Sequence, residues 1–472
     1  MDRTPPLKAS KSVTLPQKPA FLVFKKYIKT VADPSTMLSQ FESFCSSLDA
    51  RYSRILGPVL EMQAKAFDIS PNDAIPNIAE LQKASILNPR TAIRAEIFRV
   101  GNSIATLSIS LRNAGIEGAT RGILQATTIA SNVEDDPALK EYVAKVNSHF
   151  SISLSPSPML SERAQRLKRD GGFTCATAPA PDELGAARVL ADRASRSLAQ
   201  TIKSGSGLLV ADVEKSVAAN DQPNIGRMQK TLLDCGVVSA ETVVICTKSG
   251  RPSLRLASKS DVRFLSERDV RCSCGKRISE ERVEEALTIT PLGASLLDKS
   301  RWMTVSLVDE LSNLGVDISC VYIEQQIGGD ELDCIALISG DVVLFELKDG
   351  EFSLGHAYSF NSKVGLVRPD LSVIWTTDKV GGDARDHFER RQQVERESAR
   401  PRYGQRESVH TPTYIEGVPN LGKDLAIVAT VLAARDARQT LSELLPLAAA
   451  SPTAILQGWI RNNDLPGQVA PQ

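Results

Sequence analysis

Residues Cys320–Gly350 read CVYIEQQIGGDELDCIALISGDVVLFELKDG, apolar runs interrupted by glycines and ended by charge. Strands are expected at 319–327, 331–339 and 341–348. Alternate residues of a strand share a face. Val342, Leu344, Glu346 and Lys348 therefore project to one side, and Val343, Phe345 and Leu347 to the other. A carboxylate and an ammonium ending an apolar strand are costly unless they are paired or bind something. A hairpin across Ser339-Gly340 brings Asp333 beside Glu346. Two carboxylates so held suit a hard divalent cation, which takes oxygen ligands. Asp330 and Glu331 lie within a register slip of Asp333, but the apolar run begins directly after Asp333.

Working outward, Arg301–Leu314 reads as a helix ahead of these strands. A helical stretch near 352–366 and a strand at 371–377 follow them. An αβββαβ order carrying Asp333 and then Glu346-x-Lys348 resembles the restriction-endonuclease-like PD-(D/E)xK nucleases over roughly 298–400. The motif's proline is absent, since Leu332 precedes Asp333. The resemblance implies that Asp333 and Glu346 hold Mg²⁺, or Mn²⁺ in its place, with the main-chain carbonyl of Leu347 as a further ligand. It implies that Lys348 positions or activates the attacking water. Glu324, expected to share a face with Tyr322 and Gln326, is the fourth metal-site candidate and Glu310 the weaker one. On the following helix His356, Tyr358 and Lys363 offer phosphate contacts, Lys363 foremost.

Lys+Arg and Asp+Glu both number 56, so a nucleic-acid partner has to be argued from local patches. No apolar run approaches the ~18 residues of a membrane span. The N-terminus lacks the apolar segment of a secretory signal. Eight scattered cysteines, mostly within apolar runs, fit a reducing cytoplasm.

Residues 1–20 read as a disordered arm and 21–150 as an α-helical domain suited to scaffolding or homo-oligomerisation. The helical signals are 37–48, 52–67 and 92–114, where apolar residues recur at three- and four-residue spacing. Residues 151–185 read as a linker with a short basic helix. Three helices at 186–204, 208–220 and 224–236, then two strands joined by Ser249-Gly250-Arg251-Pro252, resemble a winged helix spanning 186–268. Ile225, Met228, Leu232 and Leu233 are expected to face inward on its third helix. Arg227 and Lys230, with Arg251 and Arg255 of the hairpin, are the expected DNA contacts. Between Lys248 and Arg277 nine Lys/Arg oppose three Asp/Glu, a local surplus of six that can neutralise phosphates.

A connector is expected at 269–297, with a polar helix beginning at Ser279-x-x-Arg282. It contains Cys272-x-Cys274-Gly275, which has the look of half a zinc knuckle. Structural zinc takes four ligands, normally two Cys pairs. Upstream stand Cys246, with no second ligand beside it, and Cys235 on the apolar side of a helix. Two free or transiently oxidised thiols are therefore expected rather than a structural Zn²⁺.

The core is expected to fill 298–432, its 425–432 run being either a strand or a buried helix, with a helical tail at 433–472. The expected whole is multidomain α and α/β: a helical domain, a winged helix and an αβββαβ core. The expected function is Mg²⁺-dependent DNA cleavage in restriction or antiphage defence, with a partner ATPase or other defence subunit. The alternatives are a non-catalytic DNA-binding regulator on a nuclease-like scaffold and, more weakly, an RNA-directed nuclease.

Overall fold

The computed structural model describes residues 19–31, 34–56, 94–113, 120–132, 137–156, 160–170, 172–398, 411–444 and 456. The arm up to residue 18, most of the 52–67 segment and the tail beyond 444, apart from residue 456, lie outside these described residues. The fold is mixed α/β. It divides into two compact units, one of residues 1–170, 338–342 and 422–472, the other of residues 171–337 and 343–421.

The first unit corrects the helical reading of 21–150. Its elements are β1 (Leu22–Val31), α1 (Pro34–Ser47), β2 (Tyr52–Arg54), β3 (Arg94–Val100), β4 (Ser103–Asn113), β5 (Thr120–Ser131), α2 (Pro137–His149), β6 (Ser155–Pro156) and α3 (Glu162–Asp170). Six strands form one antiparallel sheet in the order β2-β3-β4-β5-β1-β6. The expected helix at 92–114 is a hairpin that reverses at Gly101-Asn102, where Gly101 takes φ +56°. Neighbouring residues enter opposite cores: Phe98 packs with Phe41, Phe44 and Tyr142, while Ile97 packs with Leu22, Ile104 and Ile129. A strand covered on both faces is apolar at both parities, so the two-residue period vanishes from its sequence. On the second face lie Ala433, Ala434, Ala437 and Leu441 of the helix Leu421–Leu444. The 425–432 run is therefore helical, and residues 433–444 of the expected tail belong to the same helix.

The second unit opens with α4 (Pro181–Ala191) and α5 (Arg193–Ser204), where one helix was expected. Asp192 leaves the helical region, and its Oδ2 accepts the Ser195 N–H at 2.9 Å, starting α5 afresh. The expected helix at 208–220 shrinks to β7 (Leu208–Leu209), a 3-10 turn and α6 (Val213–Ser216). Then come α7 (Ile225–Asp234), β8 (Val238–Ile245), β9 (Pro252–Leu256), α8 (Lys259–Glu267) and β10 (Arg282–Ile289). β10 replaces the expected polar helix and pairs with both β7 and β8, giving the order β7-β10-β8-β9. On α7, Met228 and Leu232 are buried, whereas Leu233 is exposed, correcting its expected inward position.

The chain continues through α9 (Pro291–Leu297), α10 (Arg301–Asn313), β11 (Val321–Ile327), β12 (Asp330–Ile338), β13 (Asp341–Lys348), α11 (Leu354–Val367), β14 (Leu371–Thr376), α12 (Gly382–Ser398) and β15 (Thr413–Glu416). The sheet order is β11-β12-β13-β14-β15. β11 and β12 are antiparallel, and β13, β14 and β15 run parallel. Ser339 and Gly340 both take positive φ, +52° and +87°, as a two-residue hairpin turn between β12 and β13 requires. Central β13 is buried from Asp341 to Phe345 and opens towards solvent at Glu346–Lys348. Beneath the sheet Trp302 and Trp375 are fully buried edge to face, with ring centroids 6.2 Å apart. The outer edge of β11 is covered by residues 174–176, where Ala176 N–H donates to Val321 O at 2.7 Å. Among the described residues no helix is long and apolar enough to cross a membrane.

Candidate functional site

The open end of β13 carries a cluster of charge that the sheet assembles from three elements. Asp333 on β12 reaches across to β13, where its Oδ2 accepts the Leu347 N–H at 2.7 Å. That bond fixes Asp333 against the Glu346–Leu347 peptide. Glu346 meets Lys363 of α11, whose Nζ lies 2.8 and 2.7 Å from the two carboxylate oxygens. The Glu346–Lys363 pair is largely out of water, at 14% and 10% side-chain exposure. Lys348 adds its positive charge, which acts on Asp333, Glu346 and His356 alike.

The electrostatics follow from burial. Desolvation raises the pKa of Asp333, against the stabilising Leu347 N–H and the nearby lysines. Glu346 is pushed up to about 7, first by burial and then by the negative charge of Asp333. Asp333 thus disfavours ionisation of Glu346, Glu331 adds negative charge at Asp333, and two ammonium groups stand beside the pair. Such a pair attracts cations, and its donor atoms are the hard oxygens that Mg²⁺ and Mn²⁺ take.

The loop after Lys348 is braced by the helical part of the unit. Arg196 of α5 is buried, sits 4.9 Å over the Trp302 ring and pairs through Nε with Asp349 Oδ2 at 3.0 Å. Thr377 Oγ1 donates to Asp349 Oδ1 at 2.9 Å and accepts the Gly350 N–H at 2.7 Å.

The structure brings Asp333, Glu346, Leu347, Lys348 and Lys363 together and leaves Glu324 aside. Glu324 is exposed and takes φ +52°, so the strand alternation expected to align it with Tyr322 and Gln326 breaks there. Leu347 meets the site through its N–H. Lys363 was expected as a phosphate contact; it is buried and engaged with Glu346. Glu331 is paired with Lys299 at 2.8 Å, and its charge is felt at Asp333. His356 Nδ1 caps α11 at the Ser353 N–H, and Tyr358 is exposed against His387.

Of the expected DNA contacts, Arg227, Lys230, Arg251 and Arg255 are all exposed. Lys230 is paired with Asp234 at 2.7 Å and Arg255 with Glu241 at 2.7 Å. The cysteine pair is joined by upstream Cys246 and by Glu281, which the sequence did not single out: the ligand atoms of Cys246, Cys272, Cys274 and Glu281 all lie within 4.8 Å of one another. Among the described residues this is the only group of three or more His, Cys, Asp or Glu in metal-holding range. Cys235 stands apart at the end of α7. The missing signal was a carboxylate seven residues after Cys274, invisible to a search for paired cysteines.

No family model matches the chain, and neither a curated protein nor a solved structure was found to match it.

Proposed function

We propose that the chain is a divalent-metal-dependent phosphodiesterase of the PD-(D/E)xK kind that acts on DNA. The observation that carries this reading is the Asp333 Oδ2 to Leu347 N–H bond, which sets the Asp carboxylate beside the Glu-x-Lys strand end. The element order α10, β11, β12, β13, α11, β14 supports the αβββαβ core. The order β7-β10-β8, with α5 to α7 interleaved, supports a winged helix whose wing is enlarged between β8 and β10.

Asp333 and Glu346 would hold the ion through carboxylate oxygens. A Mg²⁺ ion there supplies Lewis-acid neutralisation of phosphate charge and acidifies a water. Asp333 is oriented by its bond to Leu347, so it needs no reorganisation to present a free oxygen. Lys348, on the strand face of Glu346, can orient the attacking water or stabilise negative charge growing on the phosphate. Lys363 balances Glu346 and is within reach of an incoming anion once the carboxylate turns to a stronger cation. Exposed Arg227 and Arg251 can hold the DNA backbone.

The Glu346–Lys363 pair also favours a second reading, a DNA-binding regulator whose core is a scaffold, because both Glu346 oxygens already have a cation. Supercoiled plasmid incubated with the protein and Mg²⁺ or Mn²⁺ separates the two. Nicking that disappears in Asp333→Asn supports the enzyme; DNA retention without nicking, equal in wild type and variant, supports the regulator.

A further inference from the structure

Between β8 and β10 the chain makes an excursion, residues 246–281, that holds β9, α8 and four converging metal-type ligands. Its own core is small. Val244, Cys246, Val262, Cys272 and Ile278 are buried together, with Leu254, Leu256, Val270, Cys274 and Val283 partly covered around them. Segments shorter than about 40 residues rarely bury enough apolar surface to hold a fixed shape without a metal, a disulfide or a partner.

The backbone around the thiols is shaped as two tight turns. Cys246 ends the strand: its N–H donates to Arg251 O at 2.9 Å, and Gly250 N–H returns to Cys246 O at 2.8 Å. Cys272 N–H donates to Lys276 O at 2.8 Å, and Gly275 N–H returns to Cys272 O at 2.8 Å. Gly250 and Gly275 take φ +70° and +93°, which a side chain resists, so glycine stands where each turn closes. Glu281 is buried and ties the turns to each other. Its Oε1 accepts from Cys274 Sγ at 2.9 Å and its Oε2 from the Thr247 N–H at 2.6 Å.

From this geometry we propose that Cys246, Cys272, Cys274 and Glu281 bind one structural Zn²⁺ that pins the enlarged wing. Thiolates select zinc over the hard cations suited to Asp333 and Glu346. A tetrahedron with Zn–S of about 2.3 Å has edges of about 3.8 Å, close to the observed grouping. Binding releases the three thiol protons to solvent, and the Cys274 to Glu281 hydrogen bond gives way to two bonds to the ion. Glu281 keeps one oxygen for Thr247, which fixes the carboxylate at the metal. The two turns are then cross-linked through a loop of some two dozen residues, and the basic wing is held in one shape.

The test uses the full-length chain, purified under reducing conditions without metal-affinity chromatography, with metals counted by mass spectrometry. One zinc per chain is expected, and it should persist in Asp333→Asn, so the outcome does not depend on nuclease activity. Cys272→Ser and Cys274→Ser should each lose it. Because those variants can misfold, Glu281→Ala provides a milder arm. It should bind Co²⁺ more weakly than wild type while keeping thiolate-to-cobalt charge-transfer absorption. The proposal is overturned if reduced wild-type protein neither carries zinc nor takes up Zn²⁺ or Co²⁺ on reconstitution. It is equally overturned if Cys272→Ser keeps the full equivalent, or if the intact mass shows a disulfide among these cysteines in the protein isolated from cells.

Discussion

Lys363 of α11 places its ammonium 2.7 and 2.8 Å from the two oxygens of Glu346, on the neighbouring strand β13. Because the pair is largely buried, each partner governs what the other can do. Glu346 without a cation would be an isolated carboxylate in a dry site, and such groups protonate rather than stay charged.

Replacing Lys363 by methionine should therefore destabilise the second unit by about 1–3 kcal/mol at pH 8, because a buried acid loses its partner. The loss should shrink at pH 5, where Glu346 can take up a proton. Urea unfolding at the two pH values checks this; an equal loss at both would mean that Lys363 contributes through packing alone.

Glu346 gives the opposite sign. Its folded pKa, about 7, lies above its ordinary 4.5. The stability linked to its protonation is fully present below pH 4.5 and is lost as pH rises through about 7. Without added divalent ion, Glu346→Gln should therefore gain about 1–3 kcal/mol relative to wild type between pH 4 and pH 8, on top of a pH-independent cost for leaving Lys363 without its anion. Thermal melts across that range supply the comparison, and a difference between variant and wild type that stays constant with pH contradicts a raised pKa for this carboxylate.

DNA affinity should divide the four wing and helix cations. Arg227→Ala and Arg251→Ala should each weaken binding for all sequences and lower the salt slope by about 1. Lys230→Ala and Arg255→Ala should do less, since Asp234 and Glu241 already hold those charges. Fluorescence anisotropy with a labelled duplex at several salt concentrations resolves the order.

Gly293 in α9 offers a test of the packing that supports β8. A Cβ built there would sit 2.2 Å from the Val237 carbonyl oxygen. Gly293→Ala should therefore cost about 1–3 kcal/mol, whereas helix propensity alone favours alanine. A stabilised variant would show that α9 can move off the strand.

How much the sequence disclosed depended on what each residue had to contrast with. β13 was readable because Glu346 and Lys348 interrupt an apolar run, and its helix and strand neighbours carried ordinary periodic signals. The N-terminal sheet was not readable, because Ile97 and Phe98 face two separate cores and leave no alternation to detect. The break at Asp192 was hidden for another reason: one side chain ends a helix and caps the next without disturbing the apolar spacing. Glu324 illustrates a third limit, since its positive φ follows from local geometry rather than from residue type. Within the site, Asp333, Glu346 and Lys348 form a local pattern. The partnership of Glu346 with Lys363 and the arrival of Glu281 at the thiols depend on tertiary contact and had no short-range signature.

The central claim is most directly tested by the rate at which end-labelled duplex DNA is cut at saturating Mg²⁺. Wild-type protein should hydrolyse phosphodiester bonds, and Asp333→Asn and Lys348→Ala should each slow that rate by a factor of 100 or more, on the order expected for losing a metal ligand or a charge-stabilising group. Folded wild-type protein that leaves DNA intact with every divalent ion tried, or variants that cut as fast as wild type, would contradict it.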